Sequence, residues 1–281
     1  MDTAYLNGRF LPLADAQVPV LDRGFLFGDA VYEVIPVYTG RAYALADHIH
    51  RLDRSLRSIG LADPLAPDGW SDLVNDLIAR NGGGDMAVYL QVTRGAPSRR
   101  DHRPASATGP ATVVGFCQTR SPIAESLLEQ GIAAVVRDDT RWARCDIKST
   151  ALLANVLLAG DAHANDANEA ILVRDGRLTE GASSNVFVVS GGTLATPPLE
   201  AAILPGITRA RVLSLAAAND IPVAQRRVET GELRAADEIW LTSSTREIFP
   251  VTRLDGEPVG HGRPGALWTR LRALLQADTH D

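Results

Sequence analysis

Apolar and polar residues alternate along "AVYEVIPVYTGRAYAL", residues 30–45. β-Branched and aromatic residues fill both arms and Thr39-Gly40 lies between them, a pattern that predicts a hairpin. The period then changes. In "ADHIHRLDRSLRSIG", Ile49, Leu52, Leu56 and Ile59 recur at three- and four-residue spacing and Gly60 follows, which predicts an amphipathic helix. "GWSDLVNDLIARNGGG" predicts a second helix, closed by glycines. "MAVYLQVTRG" and "ATVVGFC" predict strands, joined by the polar, proline-containing loop "APSRRDHRPASATGP", residues 96–110.

Beyond residue 118 the two periods interleave. "GIAAVVRDD", "EAILVRDGRLTE", "SNVFVVSGGTLATP", "EIWLTSS" and "EIFPVTRLDG" predict strands, with turns at Asp175-Gly176 and Gly191-Gly192. "KSTALLANVLLAGDAH", "PGITRARVLSLAAAND" and "ALWTRLRALLQ" predict helices, the second opened by Pro205-Gly206. The mixture predicts an α/β (α+β) protein of two domains with partly antiparallel sheets. "QTRSPIAES" supplies the linker. The expected division is a small N-terminal domain over 1–118, a linker over 119–122 and a larger C-terminal domain over 123–281.

Composition narrows the function classes. The chain has 281 residues, 45% hydrophobic and 22% charged, with a net charge of -6, so a basic nucleic-acid footprint is not expected. No apolar run approaches the roughly 20 residues of a membrane helix. The opening "MDTAYLNGRF" has no charged-then-apolar signal pattern, and Cys117 and Cys145 make no disulfide framework; both point to a reducing cytoplasm. His48 and His50 in "HIHR" lack a matching Cys/His pattern, so no metal centre is expected.

One residue type departs from the background. Of 28 lysines and arginines, Lys148 in "RWARCDIKSTALLANVL" is the single lysine. Arginine serves wherever a cation suffices, but its pKa above about 12 bars it from acting as a nucleophilic amine. Lysine becomes one when burial or a neighbouring cation lowers its pKa from about 10.4. A chain that replaces lysine everywhere else and keeps Lys148 suggests amine chemistry there.

Other groups suit a phosphorylated cofactor. A helix opening at Gly206-Ile207-Thr208 offers free N–H groups and a hydroxyl to an anion. Ser243, Ser244 and Thr245 line up at a strand end, as a second cradle or as ordinary turn caps. Glu180 in "RLTEGASSNVF" reads equally as a solvated turn or as a carboxylate aimed at a ligand cation, with small residues allowing close approach. Arg51 reads as a surface arginine or a phosphate clamp. An amine, a phosphate cradle, an arginine and a carboxylate together specify a pyridoxal phosphate site.

The motifs "DRGFLFGDAVYEVI", "HIHRLDRS", "YLQVTRG", "RCDIKS", "EAILVRDGRLTEGASSNVF", "LPGITR" and "SSTREIFPV" occur in that order. Over nearly its whole length the chain resembles the fold-type IV pyridoxal phosphate enzymes. These are the D-amino acid and branched-chain aminotransferases and aminodeoxychorismate lyase, and the likeness is nearest to the D-amino acid enzymes. The resemblance implies a C-terminal domain with a mixed, partly barrel-like sheet. It implies that Lys148 forms the Schiff base and shuttles the proton, and that Glu180 pairs with the pyridine nitrogen. It implies that Arg51, Ile207, Thr208, Ser243 and Ser244 hold the phosphate, with Leu204 packed on the ring. Tyr32, Arg100 and His102 match the groups that bind the substrate carboxylate. The loop is one residue longer than the usual pattern, which leaves Arg99 as the alternative to Arg100.

The resemblance further implies a homodimer and ping-pong transamination between a D-amino acid, such as D-alanine or D-glutamate, and a 2-oxo acid, pyruvate or 2-oxoglutarate. The alternatives are a branched-chain L-amino acid aminotransferase, activity on primary (R)-amines, and aminodeoxychorismate lyase.

Overall fold

The computed structural model describes residues 2–104 and 109–280. The chain divides into two units, Met1–Ser121 with Ile147–Leu152, and Pro122–Asp146 with Leu153–Asp281.

The first unit is built on an antiparallel six-stranded sheet. Its strands are β1 (Thr3–Leu6), β2 (Arg9–Pro12), β3 (Ala30–Tyr38), β4 (Arg41–Ala42), β5 (Met86–Thr93) and β6 (Thr112–Thr119), in the order β2-β1-β6-β5-β3-β4. The helices are α1 (Arg23–Phe27), α2 (Leu45–Ser58) and α3 (Pro67–Arg80). The hairpin turns at Thr39 (φ 49°) and Gly40 (φ 82°), the left-handed pair that matches strand twist. Its second arm stops after two residues, because the chain turns away into α2. The apolar stripe of α2, Ile49, Leu52 and Leu56, meets Trp70, Val74 and Leu77 of α3 and Ile35, Val88 and Leu90 of the sheet in one core. Within the loop over 96–110, residues 105–108 lie outside the described residues.

The second unit carries β7 (Ile132–Asp138), β8 (Glu169–Arg174), β9 (Arg177–Gly181), β10 (Asn185–Ser190), β11 (Thr193–Thr196), β12 (Val223–Gln225), β13 (Glu238–Ser243), β14 (Glu247–Leu254) and β15 (Glu257–Pro258). They form a mixed, curled nine-stranded sheet in the order β12-β11-β10-β13-β14-β7-β8-β9, with β15 on β14. Parallel pairing joins β11 to β12, β14 to β7 and β7 to β8. Five helices surround it: α4 (Glu125–Gln130), α5 (Leu153–Ala164), α6 (Ile207–Ala218), α7 (Thr230–Arg234) and α8 (Ala266–His280). Trp240, Phe187, Leu194 and Val212 pack with Leu271 of α8 in the main core.

One predicted helix is shorter than its pattern. The sequence reading begins it at Lys148, whereas α5 begins at Leu153. Residues 148–150 are extended because their backbone groups are bonded to β3. Tyr32 N–H donates to the Lys148 carbonyl (2.9 Å), and Thr150 N–H to the Ala30 carbonyl (3.1 Å). These bonds replace helical ones and carry Lys148 to the first unit.

Candidate active site

The first unit gathers Lys148, Tyr32, Glu33, His48 and Arg51. Alternation along β3 buries Val31, Glu33 and Ile35 under α2, while Tyr32 lies on the opposite face. Lys148 Nζ stands 4.1 Å from the centroid of the Tyr32 ring. Tyr32 stacks on Tyr89 at 5.6 Å, and Tyr89 on Phe116 at 4.8 Å. Burial pushes the Tyr89 phenol up to about 12, with Tyr32 adding to the effect, so it stays neutral.

Glu33 has no exposed surface. Arg51 grips its carboxylate with two bonds, Nε to Oε1 at 2.7 Å and Nη2 to Oε2 at 2.8 Å, and His48 Nδ1 meets Oε2 at 2.7 Å. Arg51 is therefore buried and held in one orientation, not a surface arginine. Burial alone would raise the Glu33 pKa. Arg51 and His48 overcome it and hold the carboxyl well below its usual range. Burial pulls His48 the other way, down, aided by the charges of Arg51 and Lys148 and opposed by Glu33. A neutral imidazole facing a carboxylate carries its proton on Nδ1. Its lone pair then sits on Nε2, which is buried with no hydrogen-bond partner among the described residues.

Arg100 and His102 lie on the exposed loop after β5. Arg100 Nη2 is 3.4 Å from His102 Nε2, and both side chains lie against the Phe27 ring. Arg99 is exposed.

In the second unit the groups converge at one end of the sheet. Glu180, at the end of β9, is buried rather than solvated. Its Oε2 accepts the Leu204 N–H and Asn185 Nδ2, each at 3.0 Å, and its Oε1 accepts from Arg141 Nη1. Arg141 also forks onto Asp139 with two bonds of 2.9 Å. Burial pushes the Glu180 carboxyl up to about 7, against the pull of Arg141 and the Leu204 N–H. Arg141 offsets burial only in part because Asp139 shares its charge. A carboxyl in that range suits a cationic ring nitrogen, whose charge favours the ionised form.

Asn185 links this carboxylate to the helix start. It bonds the Leu204 carbonyl at 2.9 Å, and a Cβ on Gly206 would come within 2.0 Å of its Oδ1. Only glycine fits there. Gly206 caps α6 with no side-chain bond, so the N–H groups of Ile207 and Thr208 begin the helix without a capping acceptor from it. Asn185 is paired across the sheet with Thr242, which puts Ser243 at the same sheet end. Ser244 follows in the turn, half-buried, whereas Thr245 is exposed.

The structure thus brings together Lys148, Tyr32 and Arg51 in one unit and Glu180, Leu204, Ile207, Thr208 and Ser243 in the other. Sequence reasoning missed Glu33, His48, Arg141 and Asn185. Only Glu33 left a signal, a charge at a core position of the β3 alternation. Among the described residues, no group of three or more His, Cys, Asp or Glu side chains could hold a metal. No helix there is long and apolar enough to cross a membrane.

Residues 30–254 match the family profile of the class IV amino-transferases. The chain belongs to the class IV aminotransferases. This aminotransferase is 41% identical over 272 residues to a D-alanine aminotransferase of Bacillus licheniformis, covering 96% of this chain and 94% of that one. Its fold superposes on the branched-chain amino acid aminotransferase of Escherichia coli with a TM-score of 0.92, at 27% identity, over 98% of this chain and 94% of that one. A second branched-chain amino acid aminotransferase, from T.th. and solved with pyridoxamine 5'-phosphate, gives 0.91 at 26% identity, over 99% and 94%. The aminotransferase is a pyridoxal phosphate enzyme of fold type IV. The donor set fits that cofactor: an uncapped helix start beside strand-end hydroxyls suits a phosphate, and a buried carboxylate with a pKa near neutrality suits a pyridine nitrogen.

Proposed function

We propose that this aminotransferase moves the amino group of a D-amino acid, such as D-alanine or D-glutamate, to pyruvate or 2-oxoglutarate in alternating half-reactions. One observation carries the D-specific reading: Arg100 and His102 stand side by side on the Phe27 ring, two N–H-bearing groups suited to a carboxylate. The Bacillus licheniformis relative supports it by name and by sequence. A branched-chain L-amino acid reading draws on the two structural neighbours, which are less similar in sequence.

When bound, the cofactor ring supplies an electron sink for the pair left as the substrate Cα loses its proton. The protein's own groups do the rest. Lys148 Nζ would hold the cofactor and, as a free amine, would serve as the base that takes up and returns the substrate Cα proton. Glu180 would keep the ring nitrogen protonated, and Arg141 and Asn185 hold Glu180. Arg51, the N–H groups of Ile207 and Thr208, and the hydroxyls of Thr208, Ser243 and Ser244 hold the phosphate. Leu204 would pack on the ring. Tyr32, Arg100 and His102 orient the substrate carboxylate, and with it the face of Cα presented to Lys148.

Separate half-reactions of the holoenzyme test the reading. D-Alanine is expected to bleach the visible cofactor band and L-leucine to leave it. Bleaching by L-leucine alone would overturn D-specificity.

The reading includes a homodimer. Helix α5 is apolar around most of its circumference: Leu158 and Ala162 are buried, while Leu153, Val156 and Leu157 are 72%, 63% and 65% exposed. A helix of that composition is ordinarily covered on both sides. Light scattering should give twice the 30.0 kDa chain mass, and a monomer at micromolar concentration would refute the assembly. The free, buried cysteines, both pushed up to about 11 by burial, suit a reducing cytoplasm.

A further inference from the structure

From the packing around α1 we infer that Phe27 and Arg23 are positioning residues that hold Arg100 and His102 as a ready-formed carboxylate clamp. The inference rests on the D-amino acid reading and deepens it.

Phe27 ends α1, and three side chains surround its ring. The His102 imidazole lies 4.9 Å from it at a tilt of 33°, the Arg100 guanidinium 5.0 Å from its centroid, and the Arg23 guanidinium 5.0 Å as well. Arginine only donates, so His102 Nε2 is the acceptor in its 3.4 Å approach to Arg100. Without the ring, two exposed side chains on a loop would have to surrender their rotamer freedom each time a carboxylate bound. With it, both are already side by side.

The backbone beneath them is fixed from the same helix. Arg23 is 3% exposed. It donates Nη1 to the Asp101 carbonyl and Nη2 to the His102 carbonyl (3.0 Å), the two residues that follow Arg100. Its Nε holds Asp29 at 2.7 Å. Arg94 grips the same carboxylate at 2.9 and 3.1 Å and donates to the carbonyls of Ile59 and Gly60 at the end of α2. A continuous chain of charge-assisted bonds therefore runs from the C-terminus of α2 through Arg94, Asp29 and Arg23 to the clamp backbone.

The helix that carries Phe27 also touches the lysine segment. Gly28 follows with φ 64°, and a Cβ there would sit 3.2 Å from the Ala151 backbone. The end of this short helix thus lies beside the extended segment that follows Lys148 as well as the loop of Arg100.

Holoenzyme carrying Phe27→Leu tests the inference, since leucine fills the space but offers no ring face. The KM for D-alanine should rise about 10-fold, the scale of a lost cation–π contact, with kcat within about 2-fold. The rate at which hydroxylamine, which has no carboxylate, strips the cofactor should not change. Phe27→Tyr should restore the KM. An unchanged KM in Phe27→Leu, or a hydroxylamine rate that falls in step with it, overturns the platform while leaving the substrate reading intact. A wild-type enzyme that hydroxylamine bleaches and D-alanine does not overturns the substrate reading, and the platform with it.

Discussion

Lys148→Arg is expected to erase the visible cofactor band and to lower turnover by at least about 10,000-fold. The substitution keeps a cation of similar length in a chain whose other basic residues are all arginine, so the bulk charge is untouched. What it removes is the free amine. A guanidinium neither bonds to the cofactor aldehyde nor carries a proton away from Cα at neutral pH. Absorbance of the purified variant after incubation with pyridoxal phosphate, together with a D-alanine–pyruvate assay, reads both losses. A variant that kept the band and the activity would show that the amine acts elsewhere.

Glu33→Gln should destabilise the first unit by about 3–5 kcal/mol, because it strips the counter-charge from the buried Arg51 and the partner from His48. The pair of bonds from Arg51 and the contact at 2.7 Å from His48 all end on this one carboxylate. Acid sensitivity gives an independent signature. The Glu33 pKa is held below its ordinary value of 4.5, so its stabilisation is present above that value and is lost as the pH falls below it. The His48 pKa is also lowered from 6.5, so the unfolded chain takes up that proton first. The contribution of this cluster to stability therefore starts to fall below about pH 6.5 and falls more steeply below about pH 4.5. In Glu33→Gln the steep lower limb should flatten while the upper one remains. Urea unfolding across pH 4–8 measures both, and identical profiles for variant and wild type would refute the role of the triad.

Local signals carried much of this into the sequence. The hairpin at Thr39-Gly40 and the apolar stripe of α2 are short-range patterns, and they form where they are written. Lys148 stood out by chemistry because every other basic residue is arginine. Its conformation did not, since "KSTALL" continues the apolar helix in sequence while its backbone partners lie more than 110 residues away on β3. Arg51 faced the same difficulty. A position inside an amphipathic helix says nothing of a carboxylate on β3 waiting beneath it. Arg141 and Asn185 matter through a shared neighbour, Glu180, and that is a property of the curled sheet, not of any window of residues. The loop was legible as Arg-x-His, but the aromatic floor under it belongs to a five-residue helix with no periodicity to betray it.

The half-buried Lys148, resting on the Tyr32 ring, is also the sole side-chain primary amine in the molecule. Reductive trapping with borohydride would therefore have one side-chain target, and mass spectrometry of the intact protein would read its occupancy. Solid supports or dyes that acylate amines have Lys148 as their single side-chain target, so coupling through carboxylates or arginines would spare it.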